Sequence, residues 1–452
     1  MSFVGARVEH PVLGEGVVLR VVEGGRRWSV VFDARPRVPY RLSPRDLRAP
    51  APPPPLRPLP TPDVAAVPRA RQCLEALRMG VVPAWGLDRL TVGRDTELAS
   101  IEALLAARSG MRVLCGGYGT GKTHLVEVAE ARARASHWLV ARASFDAVEV
   151  PPSHPIRLYR ELAASLSYPD DPRRGLLPLL DRLLDSRAHL PGGSRAHGWL
   201  TPALWARAHV EDASLLEDTV AWAAGEAVWM EELRRGLARA GLDGAPMLAL
   251  PDYRTFGQLM AHLLGGIAAW AKDAGYAGLL VLLDEAEYLD RLGAASQEMA
   301  QNVLKFLAVG AMPRASLAFD PEKVYRGGHD VHRRVPTRFA EDQPLAVLCA
   351  FTPHPGIERV LGGISRTPEW WLPLEPVRRG RLGDLADRVL EIAREVYPAL
   401  DPRPEDREAL RRALLTAWDG GQVENTRDAA RMAVEYWDLY RASRERAARA
   451  LR

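Results

Sequence analysis

The stretch MRVLCGGYGTGKTHLVEV, residues 111–128, decides the fold of this chain. Its apolar beginning predicts a buried strand, its glycines predict a turn, and its last residues predict a helix. The turn fits the phosphate-loop pattern in full, with Gly116, four further residues and then Gly121-Lys122-Thr123. Because glycine has no side chain, backbone N–H groups can surround a phosphate in front of a helix N-terminus. The predicted binding segment is Gly116, Gly117, Tyr118, Gly119, Thr120, Gly121, Lys122, Thr123 and His124.

Two side chains of this segment have predicted roles at a nucleoside triphosphate. Lys122 would neutralise the β- and γ-phosphates, and Thr123 would offer its hydroxyl to Mg²⁺. The chain has only four lysines, at positions 122, 272, 305 and 323, among 60 basic residues. A composition that favours arginine so strongly keeps lysine where a compact ammonium is needed. This favours a phosphate loop over a plain glycine-rich turn.

A second apolar run, residues 279–283, ends in Asp284-Glu285. A carboxylate at the end of a buried strand can hold Mg²⁺, and this is the predicted role of Asp284. Glu285 is placed to polarise the attacking water as a general base. Glu287 suits an ion pair or a switch better than catalysis. The run alone is a weak signal, but together with the phosphate loop it predicts an ATPase that uses ATP and Mg²⁺.

The segment just before the first core strand contains candidates for contact with the adenine ring. These are Val92, Gly93 and Arg94. The alternative is an ordinary helix capped by Asp95 or Thr96, and the sequence does not separate the two.

Composition limits the classes of function. The 452 residues carry a formal net charge of +3, which implies no general attraction to nucleic acid, although local arginine clusters could supply one. Three widely spaced cysteines give neither a disulfide framework nor a zinc pattern, so buried thiols are expected. The first residues do not form a signal peptide, and the apolar runs are too short to span a bilayer. We therefore expect a cytoplasmic protein without a membrane partner.

The predicted fold class is α/β, with a parallel sheet and four regions along the chain. Short alternating runs in residues 1–48 predict a small β-barrel of about five strands. Proline-rich residues 49–68 predict a stiff linker. Residues 69–375 would form the nucleotide-binding core, with a helical insertion at about 170–270 whose tryptophans are assigned to core packing. Residues 376–452 predict a helical lid.

Residues 5–18, with Gly5, Val8, His10-Pro11, Gly14, Gly16 and Val18, resemble the Tudor-like module of superfamily 1 DNA-repair helicases. Such modules recruit partners and do not catalyse; a structural appendage is the alternative. The larger part of the chain resembles the ATP-binding (BrxD-like) proteins of BREX phage-defence systems, which are relatives of AAA+ helicase loaders. The residues that carry this resemblance are 75–81, Thr91-Val92-Gly93-Arg94, the phosphate loop, Trp222-x-x-Gly225-Glu226, 274–287 and Ala350-Phe351-Thr352-Pro353.

The AAA+ resemblance implies roles for three further residues. Thr352, after the apolar run 345–350, would sense the γ-phosphate; a Thr-Pro turn is the alternative. Arg427, in the first turn of a lid helix, would reach the bound nucleotide, with Arg431 or a plain surface arginine as alternatives. Arg366 is our choice for an arginine finger supplied to a neighbouring subunit. The basic segment 319–339 would face DNA or a neighbouring subunit, and its two histidines are too few for a metal site.

The main functional hypothesis is an AAA+-like ATPase, with Walker A and Walker B motifs, that forms a homo-oligomer and acts on DNA. Its implied role is that of a helicase loader or partner in anti-phage defence. Its implied partner is a helicase or another defence protein, for which the N-terminal barrel is the predicted contact. The alternative is a nucleotide-gated signalling switch that hydrolyses ATP slowly. A small-molecule kinase is least favoured, because Asp-Glu after the second buried strand suits water as the nucleophile.

Overall fold

The structure is a computed structural model that describes residues 7–22, 26–32, 39–48, 66–185, 196–244, 247–285, 292–354, 358 and 361–450. It divides into two compact units, residues 1–64 and 65–452. The predicted linker lies outside the described residues as far as residue 65, and so does Glu287. The domain boundaries that we drew stay predictions, but a helix already begins at Ala66, within the predicted linker.

The first unit contains one antiparallel sheet, in the order of the chain. Its strands are Arg7–His10 (β1), Gly14–Val22 (β2), Arg27–Phe32 (β3) and Pro39–Leu42 (β4), followed by a 3-10 turn at Pro44–Asp46. Val30 and Phe32 alternate with more exposed neighbours and pack with Val8 and Val18 in a small core. The described residues thus show four strands, and a closed barrel of about five strands stays a prediction.

The second unit is built on a sheet of five parallel strands in the order β6-β7-β8-β5-β9. The strands are Gly110–Gly116 (β5), Leu139–Ser144 (β6), Leu279–Asp284 (β7), Leu345–Phe351 (β8) and Trp371–Leu374 (β9). Every residue of β7 and β8 is buried, because both faces of these central strands are covered. Their sequences are therefore nearly continuous apolar runs and do not alternate. Because all pairings are parallel, the carboxyl ends of the strands lie at one edge of the sheet.

Helices cover both faces of this sheet. The helices that the structure describes in the second unit are Ala66–Arg78 (α1), Leu87–Leu90 (α2), Asp95–Ala107 (α3), Lys122–Ala135 (α4), Pro155–Ser165 (α5), Leu177–Asp185 (α6), Leu200–His209 (α7), Ala213–Ala223 (α8), Met230–Ala240 (α9), Gly257–Asp273 (α10), Ala294–Ala311 (α11), Val331–Arg334 (α12), Leu382–Val396 (α13), Pro404–Asp419 (α14) and Thr426–Ala450 (α15). Residues of α3 and α4 pack on one face, and residues of α5, α10 and α11 pack on the other. None of the described helices has the length and apolar character needed to cross a membrane.

The helices between β6 and β7 occupy the region of the predicted insertion. Trp199, Trp222 and Trp270 are buried there. The indole Nε1 atoms of Trp199 and Trp222 both donate to the carbonyl of Leu248, at 3.1 and 3.0 Å. The assignment of these three tryptophans to core packing is therefore confirmed, whereas Trp229 is 83% exposed.

A separate core forms where α1 packs with α13, α14 and α15, and we call these four helices the C-terminal bundle. Cys73 and Leu74 of α1 pack in it with Val389 of α13 and Trp437 of α15. The bundle thus combines the beginning of the second unit with its end. All three cysteines of the chain are buried and free, as expected.

Candidate functional site

The glycines of the phosphate loop are required by close packing and by backbone conformation. A Cβ on Gly116 would lie 2.6 Å from Oγ1 of Thr120 and 2.7 Å from Cβ of Leu374, so β9 leaves no room for a side chain. Gly119 and Gly121 have positive φ angles of 74° and 95°, a conformation that side chains rarely adopt. The turn between β5 and α4 therefore depends on glycine at three positions.

The first residue of α4 is Lys122, with Gly121 at the N-cap. Its Nζ donates to the carbonyl oxygens of Gly116 and Gly117, at 2.8 and 3.1 Å. The ammonium is thus held within the loop that would surround a phosphate. The first backbone N–H groups of α4 have no partner within the helix, which makes this end attractive to an anion.

A cleft with an empty volume of about 1170 Å³, part of it open to solvent, lies over the loop. The predicted site residues that line it are Val92, Arg94, Tyr118, Gly119, Thr120, Gly121, Lys122, Thr123, His124, Asp284, Glu285 and Arg427. Two distant parts of the sequence, the phosphate loop and the end of β7, therefore meet in one cavity, as the hypothesis of a triphosphate site requires.

Asp284 and Glu285 lie at the carboxyl end of β7. Asp284 is 4% exposed, and its Oδ1 accepts the backbone N–H of Glu285 at 3.0 Å. Glu285 has a φ angle of +57°, which is uncommon for a residue other than glycine. Such backbone conformations concentrate at functional sites, where the surrounding structure imposes them.

Arg142 of β6 contacts the same carboxylate and was not identified from the sequence. Its Nη2 lies 3.5 Å from Oδ2 of Asp284, and its Nη1 pairs with Glu127 of α4. Burial opposes the charged guanidinium, but the hydrogen bond to Glu127 and the nearby carboxylates raise the pKa of Arg142. The pair joins the helix of the phosphate loop to the acidic end of β7. The available signal was a charged residue within an otherwise apolar strand.

Arg94 ties the phosphate loop to β9. Its Nη2 donates to the carbonyl oxygens of Thr120 and Glu375, at 2.6 and 2.8 Å, and its Nη1 pairs with Glu97 at 2.8 Å. The residue is only 7% exposed. Arg94 thus lines the cleft, but its guanidinium is engaged by the protein itself. Helix α3 begins at Asp95, and its N-cap Arg94 makes no side-chain capping bond.

His124 forms a polar contact at the wall of the cleft. The hydroxyl of Thr91 donates to the carbonyl of Leu87 and lies 2.8 Å from Nε2 of His124. Because the hydroxyl has one hydrogen, we assign the hydrogen of this second bond to Nε2, which leaves Nδ1 as an acceptor. Burial, together with the charge of Arg94, lowers the pKa of His124 to about 4.

The C-terminal bundle contacts the phosphate loop through the start of α15. Nη1 of Arg427 donates to the hydroxyl of Tyr118 at 2.6 Å, and the guanidinium lies 5.0 Å from the centre of its ring. A Cβ on Gly119 would lie 2.5 Å from Cγ of Asn425. Arg431 instead lies near Asp428 and Glu435 and does not line the cleft. The geometry therefore favours Arg427 over Arg431.

Five predicted site residues do not line the cleft. The carbonyl oxygens of Gly116 and Gly117 accept from Lys122, and that of Gly117 also accepts from the hydroxyl of Thr120 at 2.9 Å; Lys122 and Thr120 both line the cleft. Gly93 has a φ angle of +65° and lies between two lining residues. Thr352 directly follows β8, the strand between β5 and β7. Arg366 is exposed, and its backbone N–H donates to Ser316 at 2.9 Å.

Most of the apolar wall of the cleft was not identified from the sequence. The wall is formed by α1 and the turn after it, by α2, by the loop after β9, and by α13 and α15. The residues are Leu77, Gly80, Val81, Val82, Pro83, Leu90, Thr91, Val377, Leu385, Thr426 and Ala430. The family resemblance of residues 75–81 and of Thr91 was the available signal for part of this wall, but it assigned them no contact with nucleotide.

The donor atoms of the cleft fit Mg²⁺. The carboxylate of Asp284 and the hydroxyl of Thr123 both line it. Mg²⁺ at nucleotide sites is usually held by one or two carboxylates together with substrate phosphates. Within the described ranges, no group of three or more His, Cys, Asp or Glu side chains could hold a metal ion without such phosphates.

Comparison with models of protein families gives a match to part of the chain. The model of a family described as BREX system ATP-binding protein BrxC/D matches residues 67–189, less than a third of the chain. The matched segment contains α1, the phosphate loop and α4, but it ends before β7. No curated protein gives a significant match to this chain.

Proposed function

We propose that this chain binds ATP in the cleft and hydrolyses it to ADP and phosphate. The observation that carries the proposal is the meeting of Lys122 and Thr123 with Asp284 and Glu285 in one cavity. The match of residues 67–189 to a family described as ATP-binding supports the binding part of the proposal.

Binding would use two different walls of the cleft. The backbone N–H groups of the loop and the start of α4 would hold the phosphates, and the ammonium of Lys122 would turn from two loop carbonyls towards them. The apolar wall, which includes Leu77, Val82 and Leu385, would cover the base. Arg94 would act indirectly, by fixing the carbonyl of Thr120 and therefore the shape of the loop.

Hydrolysis would use Glu285 as the general base towards water. Thr123 and Asp284 would hold Mg²⁺, which when bound neutralises charge on the phosphates. The bond from the backbone N–H of Glu285 to Asp284 couples the orientation of the two carboxylates. Arg142 would orient Asp284 through its 3.5 Å contact.

We further propose that the mechanism is AAA+-like. The strand order supports this, because β8 lies between the strand of the phosphate loop and the strand of the acidic pair. Thr352 at the end of β8 would sense the γ-phosphate. Arg427 would release its hydrogen bond to the hydroxyl of Tyr118 and contact the bound nucleotide instead, since both side chains line the cleft.

Arg366 would act on the nucleotide of a neighbouring subunit in a homo-oligomer. Arg366 precedes β9, and its neighbour Ser365 pairs with Leu317. Leu317 lines a second cavity together with Ser109, which directly precedes β5, so Arg366 lies near the amino end of the sheet. A strand of six to seven residues spans about 20 Å. An arginine at the amino end of the sheet is therefore too far from the phosphate loop of its own chain.

The partners would be DNA and a helicase or another protein of a BREX-type anti-phage system. The name of the matched family supports the defence setting.

The experiment measures the ATPase rate against protein concentration, with and without DNA, at two salt concentrations. We expect the rate per subunit to rise with concentration and DNA to stimulate it in a salt-sensitive way. A rate that is independent of both would contradict the assembly and the DNA role, and no turnover in any condition would contradict hydrolysis.

A second candidate, a nucleotide-gated switch with slow hydrolysis, is favoured by one observation. The bundle touches the phosphate loop through Arg427 and Asn425, so occupancy of the loop would change the position of α15. This candidate predicts that nucleotide stays bound through purification and that DNA does not accelerate turnover. Nucleotide released by denaturing the purified protein, measured by chromatography, separates it from the first.

A further inference from the structure

The sheet of the N-terminal unit has one face that is not used by its core. Val8, Val18, Val30 and Phe32 form that core, with Trp28 and Tyr40 packed against it. The alternate residues of β3 and β4, which include Ser29 and Arg41, lie on the opposite face. This outer face carries exposed arginines.

A β-bulge places one of these arginines on the outer face. Val18 pairs with the core residue Val30, but Arg20 pairs with Ser29, because the register of β2 shifts between Val18 and Arg20. In a regular strand Arg20 would share the inward face of Val18, since side chains alternate with a period of two. The extra residue, Leu19, reverses that alternation and directs Arg20 outwards.

Three arginines therefore form a compact group. Ser29 pairs with Arg20 on one side and with Arg41 on the other, so the two arginines flank it across neighbouring strands. Arg27 lies two residues before Ser29 on the same face of β3. Neighbouring strands are about 4.8 Å apart, which separates the Cα atoms of Arg20 and Arg41 by about 10 Å. All three side chains are exposed.

These arginines differ from most of those in the second unit. There, arginines commonly pair with carboxylates: Arg173 bridges Asp171 and Asp181, and Arg379 pairs with Asp419 at 2.7 Å. Within the described residues, no carboxylate pairs with Arg20, Arg27 or Arg41. Three adjacent arginines that lack a carboxylate partner among the described residues favour a ligand that presents several negative charges.

We propose that this group, which we call the arginine face, binds the phosphate backbone of double-stranded DNA without sequence preference. Duplex is favoured over single strand, because Phe32 packs in the core and Trp28 and Tyr40 pack against it, so the described part of this unit presents no aromatic platform on the outer face. Residues 1–48 contain no asparagine or glutamine, the side chains that read adenine in the major groove. Phosphate contacts alone position a protein without reading sequence.

The inference does not depend on ATP hydrolysis and is tested without nucleotide. The full-length chain is titrated against a fluorescent duplex of arbitrary sequence between about 50 and 200 mM salt. Each phosphate contact contributes about 0.9 to the slope of log affinity against log salt, so the double variant Arg20→Ala/Arg41→Ala should lower the slope by about 1.8. At about 0.1 M salt this corresponds to about 60-fold weaker binding. Duplex should also bind more tightly than the single strand of the same sequence.

Two controls separate charge from folding. The variant Arg20→Lys/Arg41→Lys keeps both charges and should keep the slope. The variant Arg235→Ala/Arg239→Ala removes the same charge from the exposed side of α9 and should leave the slope unchanged. If Arg20→Ala/Arg41→Ala binds the duplex with the slope of the original protein, the arginine face does not bind DNA and an acidic protein surface becomes its best ligand. If the lysine variant loses the slope as well, the effect comes from structure and the proposal fails.

Discussion

Substitution of Arg94 tests whether this residue contacts nucleotide or holds the phosphate loop. In the structure its guanidinium makes three bonds, to the carbonyls of Thr120 and Glu375 and to the carboxylate of Glu97. Arg94→Ala would leave two carbonyls and a mostly buried carboxylate without this partner. Removing one side of a buried ion pair costs about 3–5 kcal/mol. We therefore expect the free energy of unfolding of Arg94→Ala to fall by about that amount.

The assay is guanidinium unfolding of the full chain, followed in parallel with binding of a fluorescent ATP analogue. Arg94→Lys keeps the charge but not the planar fork, so it should lose about 1.5–3 kcal/mol, the value of one hydrogen bond to a charged group. In the double variant Arg94→Ala/Glu97→Ala the loss should be smaller than the sum of the single losses, because the two side chains interact directly. Arg235→Ala, on the exposed side of α9, should stay within about 0.5 kcal/mol.

Two outcomes distinguish the interpretations. If Arg94 holds the loop, stability and nucleotide affinity fall together in Arg94→Ala. If it contacts the base instead, affinity falls while the free energy of unfolding stays within about 0.5 kcal/mol of the original protein. The second outcome would refute the reasoning from the three hydrogen bonds.

Three further predictions concern turnover, assembly and pH. Glu285→Gln should bind the ATP analogue normally and lower turnover by about 10²–10⁴, the usual contribution of a general base, whereas an equal loss of binding would contradict its role as base. Arg366→Ala should lower turnover of the assembled protein by about 10³ or more; mixing it with Lys122→Ala, which keeps the finger but loses the loop lysine, should restore part of the activity, and no recovery on mixing would argue against a finger in trans. Burial lowers the pKa values of His124 and of His262, a buried residue of α10 whose Nδ1 lies 2.8 Å from the carbonyl of Pro336, to about 4 from the ordinary 6.5. Between pH 6.5 and about 4 the unfolded chain therefore binds more protons than the folded chain, and the free energy of unfolding should decrease as the pH is lowered, by at most about 1.4 kcal/mol per pH unit for each histidine. Denaturant unfolding at several pH values measures this slope, and an unchanged slope in His262→Asn would contradict it.

The parts of the site that depend on local sequence could be predicted. The strand, turn and helix around Gly121-Lys122-Thr123 occur where the pattern places them, because glycine positions and apolar runs act over a few residues. The strand that ends at Asp284 was found for the same reason. Long-range partners were not found: nothing in the sequence joins Arg142 to Asp284 or Arg94 to Glu375, since those contacts exist only when separate strands become neighbours.

The apolar wall of the cleft was even harder to predict from the sequence, because its residues come from separate helices. Leu77 comes from α1, Leu385 from α13 and Ala430 from α15, and each is an ordinary core residue in its own helix. Their common position follows from packing of α1 into the C-terminal bundle, which a linear reading assigned to different regions. The arginine face depends on the β-bulge between Val18 and Arg20. The sequence of β2 does not show that its register shifts there by one residue, so the outward direction of Arg20 could not be predicted.

Residue type and short spacing set local conformation, so the amino-acid sequence was enough to predict a glycine-rich turn of the phosphate-loop pattern after one strand and an acidic pair at the end of another. Three further features became visible only in the folded chain: the two elements share one cleft, α1 helps to enclose it, and Arg427 rather than Arg431 contacts the loop. The physical reason is that strand order and helix packing are fixed by burial of apolar surface across the whole unit. That burial brings together side chains whose separation in the sequence carries no information about their distance.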